Sequence, residues 1–363
     1  MNIIPVLGLM SGTSMDGIDA CILNTNGKDF ERTGINLISS YSKQTKNMLK
    51  LYSNNDLLNN IYLRSLLDYL ITKDHVKVVK KILYKQTVRP MLIGFHGQTV
   101  FHDPFTRTSL QLGNGQLLSN LTNIDVIYNF RLNDIENGGQ GAPIAPIYHK
   151  ALITKLNLSL PSCFINIGGI ANITYWDGTT LLGFDTGPGN SLIDLYVQTY
   201  LNLEFDNNGD LANLGVSQSK IIKSLMNNKF FKLHPPKSLD KSFLNFILND
   251  SEFLKLNKYD AIATLSELTA ETIYFSIKQL PKKIKTIIIS GGGQHNNFIL
   301  KQLRLKIDAK IIIANDLNMP GDLIEAELIS FLAARSYYNL PITFPSTTGV
   351  KEPMRGGILA SPF

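Results

Sequence analysis

One carboxylate stands between an apolar run and a glycine-rich turn, a position suited to acid–base chemistry. Asp185 follows the strand-like residues 181–184, and the turn 187–189 follows it, with Asn190 suited to cap the next helix. A carboxylate at a strand tip, beside amides that open a helix, can face an anion without touching it. A general base would be held near a phosphate in this way. The alternative is an ordinary strand–turn–helix with an acidic capping residue, and this stretch alone leaves both open.

A second turn of small polar residues lies near the N-terminus. Residues 11–17 read SGTSMDG between strands predicted over residues 3–10 and 18–23. Backbone amides and hydroxyl groups at such a tip suit phosphate oxygens, although the GxxxxGK[ST] pattern of a Walker A loop is absent. Asp16 is suited to hold Mg²⁺ through water. The alternative is a tight hairpin with Asp16 as an ordinary turn residue.

Three consecutive glycines, Gly291, Gly292 and Gly293, follow a strand predicted over residues 285–290. They bring bare backbone close to a flat or anionic ligand. Tight helix–strand packing also explains glycine here, but three in a row exceed that need. We therefore favour a ligand at this turn.

Polar side chains follow two further predicted strands. His96 and Gln98 in GFHGQTVFHDP are interpreted as hydrogen-bonding groups that line a pocket, and a satisfied structural histidine is the alternative. Arg131 follows the strand DVIYNF, and its forked guanidinium suits a substrate carboxylate. A surface ion pair explains Arg131 equally well.

Two acids at the start of the last long helix, Asp322 and Glu325, stand three residues apart. A capping box explains this spacing. The functional interpretation instead places Glu325 across a cleft from Asp185. Two carboxylates in different environments would then take separate acid and base roles.

Length and element order predict how these residues are positioned. The 363 residues favour two domains, and a strand–turn–strand–strand pattern recurs in both halves without a residue-level repeat. This pattern predicts an α/β fold that opens unlike a Rossmann domain. We place the first domain at residues 1–131 plus 345–363 and the second at 132–344. The Gly- and Pro-rich segment 137–146 is the candidate crossing between them.

Composition excludes several classes of protein. Hydrophobic residues make up 44% and charged residues 18% of the chain, which is typical of a globular protein. The net charge of +6 comes from scattered lysines, which suits anionic small molecules but gives no case for nucleic acid. Cys21 and Cys163 are predicted to be buried free thiols, with no zinc-site spacing. Without a signal peptide or an apolar span, we expect a cytoplasmic protein that contacts no membrane.

Seven motifs in order over nearly the whole chain carry a resemblance to a known family. They are GLMSGTSMDGIDA (8–20), GFHGQTVFHDP (94–104), GGQGAPIAP (138–146), NIGGIANIT (166–174), GFDTGPGN (183–190), ATLSELTAETI (263–273) and FPSTTGV (344–350). With this ordered set, the chain resembles the anhydro-N-acetylmuramic acid kinases of peptidoglycan recycling. The resemblance implies two related ribonuclease H-like (actin-like ATPase) domains with a nucleotide cleft between them.

The resemblance also implies ATP and Mg²⁺ as cofactors, a homodimer, and a set of binding residues. The nucleotide-binding residues are Gly12, Thr13, Ser14, Met15, Asp16, Gly17, Ile18, Asp19, Gly168, Gly187, Gly291, Gly292, Gly293 and Asn296. The substrate-binding residues are His96, Gln98, Arg131, Gln140 and Asn166. Asp16 is the metal ligand. SGTSMDG and GFDTGPGN are then the two phosphate hairpins, and SGGGQHN approaches the nucleoside.

The reaction that the resemblance implies opens the 1,6-anhydro bridge of anhydro-N-acetylmuramic acid with water and phosphorylates O6. Asp185 is the general base, and Glu325 is carried over as a second catalytic carboxylate. Three alternatives stay open: a kinase for an unmodified amino sugar, an ATP-dependent clamp or filament protein of the same fold, and a glycosidase with two carboxylates. The glycosidase leaves the glycine-rich turns without a purpose.

Overall fold

Two β-sheets form the framework of the chain. Their strands are β1 (Ile4–Ser11), β2 (Gly17–Thr25), β3 (Phe30–Ser40), β4 (Leu92–Asp103), β5 (Thr108–Leu112), β6 (Asp125–Tyr128), β7 (Ser162–Ile167), β8 (Ile170–Trp176), β9 (Leu181–Pro188), β10 (Thr286–Ser290), β11 (Lys310–Ile313) and β12 (Ile358–Ala360). The first sheet runs β12–β6–β4–β1–β2–β3, with β5 paired to β4, and the second runs β11–β10–β7–β8–β9.

Both sheets use the same arrangement. Three strands form an antiparallel meander, β1–β2–β3 in one sheet and β7–β8–β9 in the other. Two more strands then continue in parallel on the other side of the first strand, β4 and β6 or β10 and β11. This repeat explains the strand pattern shared by the two halves of the sequence. The predicted α/β fold class is confirmed.

The structure is a computed structural model. It describes residues 1–12, 15, 17–52, 60–85, 88–103, 106–239, 247–248, 250–317, 319 and 321–363. The chain divides into one unit of Met1–Ala151 with Asp322–Phe363 and a second unit of Leu152–Gly321. The boundaries predicted after residue 131 and before residue 345 therefore differ from the observed ones. The reason is that the last long helix packs on the first sheet, where it contacts β1, β2 and β4.

The helices lie between and after the strands. They are α1 (Lys43–Tyr52), α2 (Ile61–Lys85), α3 (Gly115–Thr122), α4 (Leu132–Glu136), α5 (Pro146–Lys155), α6 (Ser191–Leu201), α7 (Ser219–Leu225), α8 (Lys229–Lys232), α9 (Lys258–Lys278), α10 (Asn297–Lys306), α11 (Ile324–Tyr337) and α12 (Pro345–Thr348). None of the helices in the described ranges is long and apolar enough to cross a membrane.

Glycines let α11 lie directly against the first sheet. A Cβ atom at Gly8 of β1 would lie 2.0 Å from the Ala326 carbonyl oxygen, and one at Gly94 of β4 would lie 2.6 Å from the Ile329 carbonyl oxygen. A side chain at either position would push the helix outward. This close approach fixes the position of α11, the helix that carries Glu325.

In the second unit, α9 packs across the sheet in a similar way. It begins after Asn257, whose side chain accepts hydrogen bonds from the amides of Tyr259 and Asp260. A Cβ atom at Gly187 of β9 would lie 2.7 Å from the Thr272 side chain of α9. Glycine at position 187 therefore has a packing reason independent of any ligand.

Two smaller predictions are confirmed. The C-terminal tail is ordered against the first sheet, because β12 pairs with β6 from Ile358 to Ala360. Cys21 and Cys163 are buried free thiols. Burial raises the pKa of both thiol groups, so neither is a reactive thiolate at neutral pH.

Candidate active site

Asp185 lies on β9, at the edge of the second sheet, and is half-buried. Its amide donates a hydrogen bond to the Lys237 carbonyl oxygen at 2.9 Å. Its carboxylate Oδ2 accepts a hydrogen bond from the Leu239 amide, also at 2.9 Å. Residues 237–239 therefore hold both the backbone and the carboxylate of Asp185. An ordinary capping acid would instead accept from the first turn of its own helix.

Lys237 is a buried lysine beside this carboxylate, and the sequence analysis did not single it out. Its side-chain nitrogen lies 4.7 Å from the ring centre of Phe230 and 5.9 Å from that of Phe184. It donates to the Phe230 carbonyl oxygen at 3.4 Å. Burial lowers the pKa of Lys237 to about 8, while the Asp185 carboxylate acts in the opposite direction. The group is thus mostly an ammonium at neutral pH.

The turn after Asp185 uses its amides internally. The amides of Gly189 and Ser191 donate to the Gly169 carbonyl oxygen, and the Asn190 amide donates to that of Gly168 at 2.8 Å. These three amides therefore bond within the protein, and the predicted anion site at the start of this helix stays a prediction. Asn190 does occupy the N-cap position of α6, but its side chain donates to the Ile167 carbonyl oxygen instead of capping the helix.

The three glycines after β10 meet the end of β7. Gly291 has a φ of +76°, and a Cβ atom there would lie 2.3 Å from the Asn166 side-chain oxygen. A Cβ atom at Gly293 would lie 2.3 Å from the Ile167 side chain. Packing therefore explains two of the glycines, whereas Gly292 is exposed. Of the predicted residues, the structure brings Asn166, Gly168 and this turn together.

Two side chains follow these glycines. Asn296 caps α10 by accepting a hydrogen bond from the Ile299 amide at 3.0 Å, which gives it a structural reason. Gln294 is only 3% exposed, and neither atom of its amide has a hydrogen-bond partner among the described residues. A buried amide without a partner is costly, and such groups are often completed by a ligand.

The predicted phosphate hairpin between β1 and β2 is described in part. Thr13, Ser14 and Asp16, including the predicted metal ligand, lie outside the described residues. The Met15 amide donates to the Gly12 carbonyl oxygen at 3.2 Å, and Met15 has a φ of +59°. Gly17, Ile18 and Asp19 lie on β2. Ile18 is buried in the core of the first unit, and a Cβ atom at Gly17 would lie 2.7 Å from the Ser39 carbonyl oxygen.

Gln98 holds this hairpin through hydrogen bonds of its side chain. Its side-chain amide donates to the carbonyl oxygens of Gly12 at 2.8 Å and Thr99 at 3.2 Å, and its oxygen lies 3.2 Å from the Tyr41 hydroxyl oxygen. The side chain is fully buried. The observed bonds therefore support a role in holding the hairpin, which differs from the predicted substrate contact.

The Tyr41 hydroxyl continues into a buried network. It donates to the Ser11 hydroxyl at 2.8 Å, and Ser11 contacts His75 Nε2 at 3.0 Å. His75 Nδ1 lies 2.8 Å from the Ile71 carbonyl oxygen, which only accepts. Nδ1 therefore carries the proton and Ser11 donates to Nε2. Burial lowers the pKa of His75 to about 4, so the ring stays neutral at pH 7.

His96 and Arg131 form the centre of the predicted substrate site. Arg131 donates to His96 Nε2 at 3.1 Å and 3.3 Å, and to the Gly141 carbonyl oxygen at 2.8 Å. His96 must be neutral to accept, and burial followed by the Arg131 charge lowers its pKa to about 3. Arg131 thus makes these hydrogen bonds to a buried ring and to a backbone carbonyl oxygen. It joins the end of β6 to the loop that carries Gln140.

Asp134 organises that loop and was missed in the sequence. It is 1% exposed, and its carboxylate accepts from the Gly141 amide at 2.7 Å and the Thr348 hydroxyl at 2.6 Å. The Thr348 carbonyl oxygen accepts from the Gln140 amide at 2.9 Å. An acid shortly before a glycine-rich loop is a typical anchor, and this pattern was the available signal.

Glu325 is half-buried in the first turn of α11. The N-cap residue of this helix is Leu323, and the side chain of Asp322 lies outside the described residues, so the capping-box interpretation of Glu325 stays a prediction. The acid that fixes the helix is Glu327, which accepts from Arg32 at 2.6 Å and 2.9 Å and from the Tyr148 hydroxyl at 2.6 Å. Glu325 belongs to the first unit and Asp185 to the second.

Comparison with known proteins shows which class of protein this chain belongs to. A sequence model described as anhydro-N-acetylmuramic acid kinase matches residues 4–361. The anhydro-N-acetylmuramic acid kinase of Pelagibacter ubique is 40% identical over 373 residues, covering 97% of each chain. That of Bradyrhizobium diazoefficiens is 38% identical over 371 residues, covering 98% of this chain and 99% of the relative.

The two α/β units thus form the framework of a sugar kinase. More closely, the chain belongs to the anhydro-N-acetylmuramic acid kinase family. The predicted enzyme class and the role in peptidoglycan recycling are confirmed at this level. A clamp, a filament protein and a glycosidase are not favoured.

Proposed function

We propose that Asp185 is the general base in a reaction that opens the anhydro bridge of anhydro-N-acetylmuramic acid and phosphorylates O6. The observation that supports this most is the double hold on Asp185, through the Lys237 carbonyl oxygen and the Leu239 amide. A carboxylate with a fixed direction at a strand edge is suited to take a proton from one water molecule.

The atoms balance as follows. Water gives a proton to Asp185, and its oxygen bonds to the anomeric carbon. The bond between that carbon and the bridging oxygen breaks. The bridging oxygen, now O6, bonds to the γ-phosphorus of ATP, and the bond from that phosphorus to the oxygen that leaves with ADP breaks. The products are N-acetylmuramic acid 6-phosphate and ADP. Alignment supplies much of the rate, because phosphoryl transfer needs little covalent help from the protein.

The acidic group of the sugar has a suited partner in Arg131. Its guanidinium is held on one side by the neutral His96 ring and on the other by the Gly141 carbonyl oxygen. A fork fixed in this way pairs well with a carboxylate. Gln140 is half-buried on the loop that Asp134 anchors, and we propose that it and Asn166 contact the sugar. Glu325 is proposed as the second carboxylate.

The residues after β10 fit a nucleotide. Gly292 exposes backbone without a side chain, and the buried Gln294 amide lacks a partner among the described residues. ATP, when bound, supplies the phosphoryl group, and the described residues that would hold it are Gly12, Gly168 and this turn. Asp16 with Mg²⁺, a homodimer and a cytoplasmic location stay predictions.

Mass spectrometry of the product formed in heavy-oxygen water tests this proposal. We expect one heavy oxygen on C1 and an unlabelled O6 that carries the phosphate. Product that lacks the label on C1 would contradict hydrolytic opening. Supplying N-acetylmuramic acid, which has no anhydro bridge, separates the remaining alternative. Equal phosphorylation of both sugars would favour a kinase for unmodified amino sugars.

A further inference from the structure

Lys237 bonds to the predicted base, Asp185, through its own backbone, and its side chain is buried. The Lys237 carbonyl oxygen accepts the Asp185 amide, and the amide two residues later holds the Asp185 carboxylate. The side chain is 2% exposed and packs between the rings of Phe184 and Phe230. Phe184 directly precedes Asp185 on β9, so the Lys237 side chain lies near the residue before the base, while the Lys237 backbone bonds to Asp185 itself.

We propose that Lys237 is a positioning residue for Asp185, and that its buried ammonium keeps residues 237–239 seated and the carboxylate ionised. This inference rests on the proposed role of Asp185 as the base. It assigns Lys237 no contact with the substrate. The residue acts only through the direction and the charge of Asp185.

Two physical points support this role. A buried ammonium has a large desolvation cost, so the fold would normally place an apolar side chain between two aromatic rings. The rings and the Phe230 carbonyl oxygen offset only part of this cost. The remaining favourable interaction is with the Asp185 carboxylate, which opposes the lowering of the Lys237 pKa.

The test compares Lys237→Met with wild type, using anhydro-N-acetylmuramic acid and ATP. Methionine keeps the length of the side chain and suits an aromatic surrounding, so the fold is expected to persist. We expect kcat to fall on the order of 10- to 100-fold, because a misdirected base loses its alignment. The KM for ATP should stay within about twofold of wild type. The acid limb of the kcat/KM profile should move to higher pH, because a nearby positive charge has been removed.

Two further variants make the result specific. Lys232→Met is the matched control, because Lys232 is exposed at the end of α8, shortly before Lys237 in the chain. This variant should behave as wild type. Lys237→Arg keeps the positive charge and should recover part of the lost kcat. If Lys237→Met instead turns over like Lys232→Met, or if the arginine variant recovers nothing, the positioning role is refuted.

The double variant separates this inference from the proposed function. When Asp185 is already asparagine, adding Lys237→Met should cause no further loss, because both changes act through one group. A further loss of about tenfold would show that Lys237 acts independently and would overturn the inference. If Asp185→Asn alone keeps wild-type turnover, the proposed function itself fails.

Discussion

Replacing Arg32 with methionine should destabilise the first unit through a carboxylate on α11. Arg32 on β3 donates two hydrogen bonds to Glu327, and the Tyr148 hydroxyl donates a third. The Arg32 side chain is 30% exposed and that of Glu327 is 7% exposed. The substitution keeps most of the packing of the long side chain but leaves Glu327 buried with Tyr148 as its remaining observed donor.

The expected loss in the free energy of unfolding follows from this burial. Removing one partner of a fully buried ion pair costs about 3–5 kcal/mol. Because Arg32 is partly exposed and Tyr148 still donates to Glu327, we expect the free energy of unfolding to fall by about 2–3 kcal/mol. A unit of this size shifts its melting temperature by roughly 2–4 °C per kcal/mol, so the shift should be roughly 4–12 °C.

Differential scanning calorimetry at neutral pH measures the shift. The matched control is Lys255→Met, which removes a pair with Glu252 in which both side chains are about two-thirds exposed. Such pairs contribute about 0–1 kcal/mol. If Arg32→Met and Lys255→Met melt within about 1 °C of each other, the argument that α11 is anchored by a buried ion pair is refuted.

Two further predictions concern pH and the substrate loop. Burial, and then the charge of Asp206, raises the pKa of Asp194 to about 6. The folded chain therefore binds an extra proton between about pH 4 and pH 6, and stability falls as pH rises through this window. Asp194→Asn should stabilise the protein at pH 7, on the order of 1–3 kcal/mol, with no gain below about pH 4 in urea titrations; an equal gain at pH 3 would contradict this. Asp134→Ala leaves the Gly141 amide and the Thr348 hydroxyl without their buried acceptor, which costs about 1–3 kcal/mol. The KM for the sugar should rise while that for ATP stays constant in steady-state kinetics, and a change confined to ATP would argue against the proposed loop function.

Local patterns in the sequence were sufficient for most of the framework. Apolar runs ended by turns predicted the β1–β2 hairpin, because this feature depends on neighbours in the chain. The strand before Asp185 was predicted too short: β9 continues to Pro188, so Asp185 lies within the strand and not at its tip. The strand predicted before His96 and Gln98 is longer than expected, and β4 contains both residues. It extends to Asp103, since β5 pairs with its second half.

Features that depend on distant residues were not predictable. The sequence of α11 does not show which sheet it covers, because this depends on Gly8 and Gly94. The Lys237 side chain lies near the ring of Phe184, and the Asp134 carboxylate accepts a hydrogen bond from Thr348. Each partner lies in another element. The glycine-rich loop is a local signal for Asp134 but does not reveal Thr348, and Lys237 has no such signal.

The turnover of anhydro-N-acetylmuramic acid by Asp185→Asn tests the central claim most directly. The account predicts a loss on the order of 10²- to 10⁴-fold in kcat, with nucleotide affinity nearly unchanged. Asp210→Asn, an exposed carboxylate of the same unit, should turn over like wild type. An Asp185→Asn enzyme that forms the phosphorylated sugar at the wild-type rate would contradict the account.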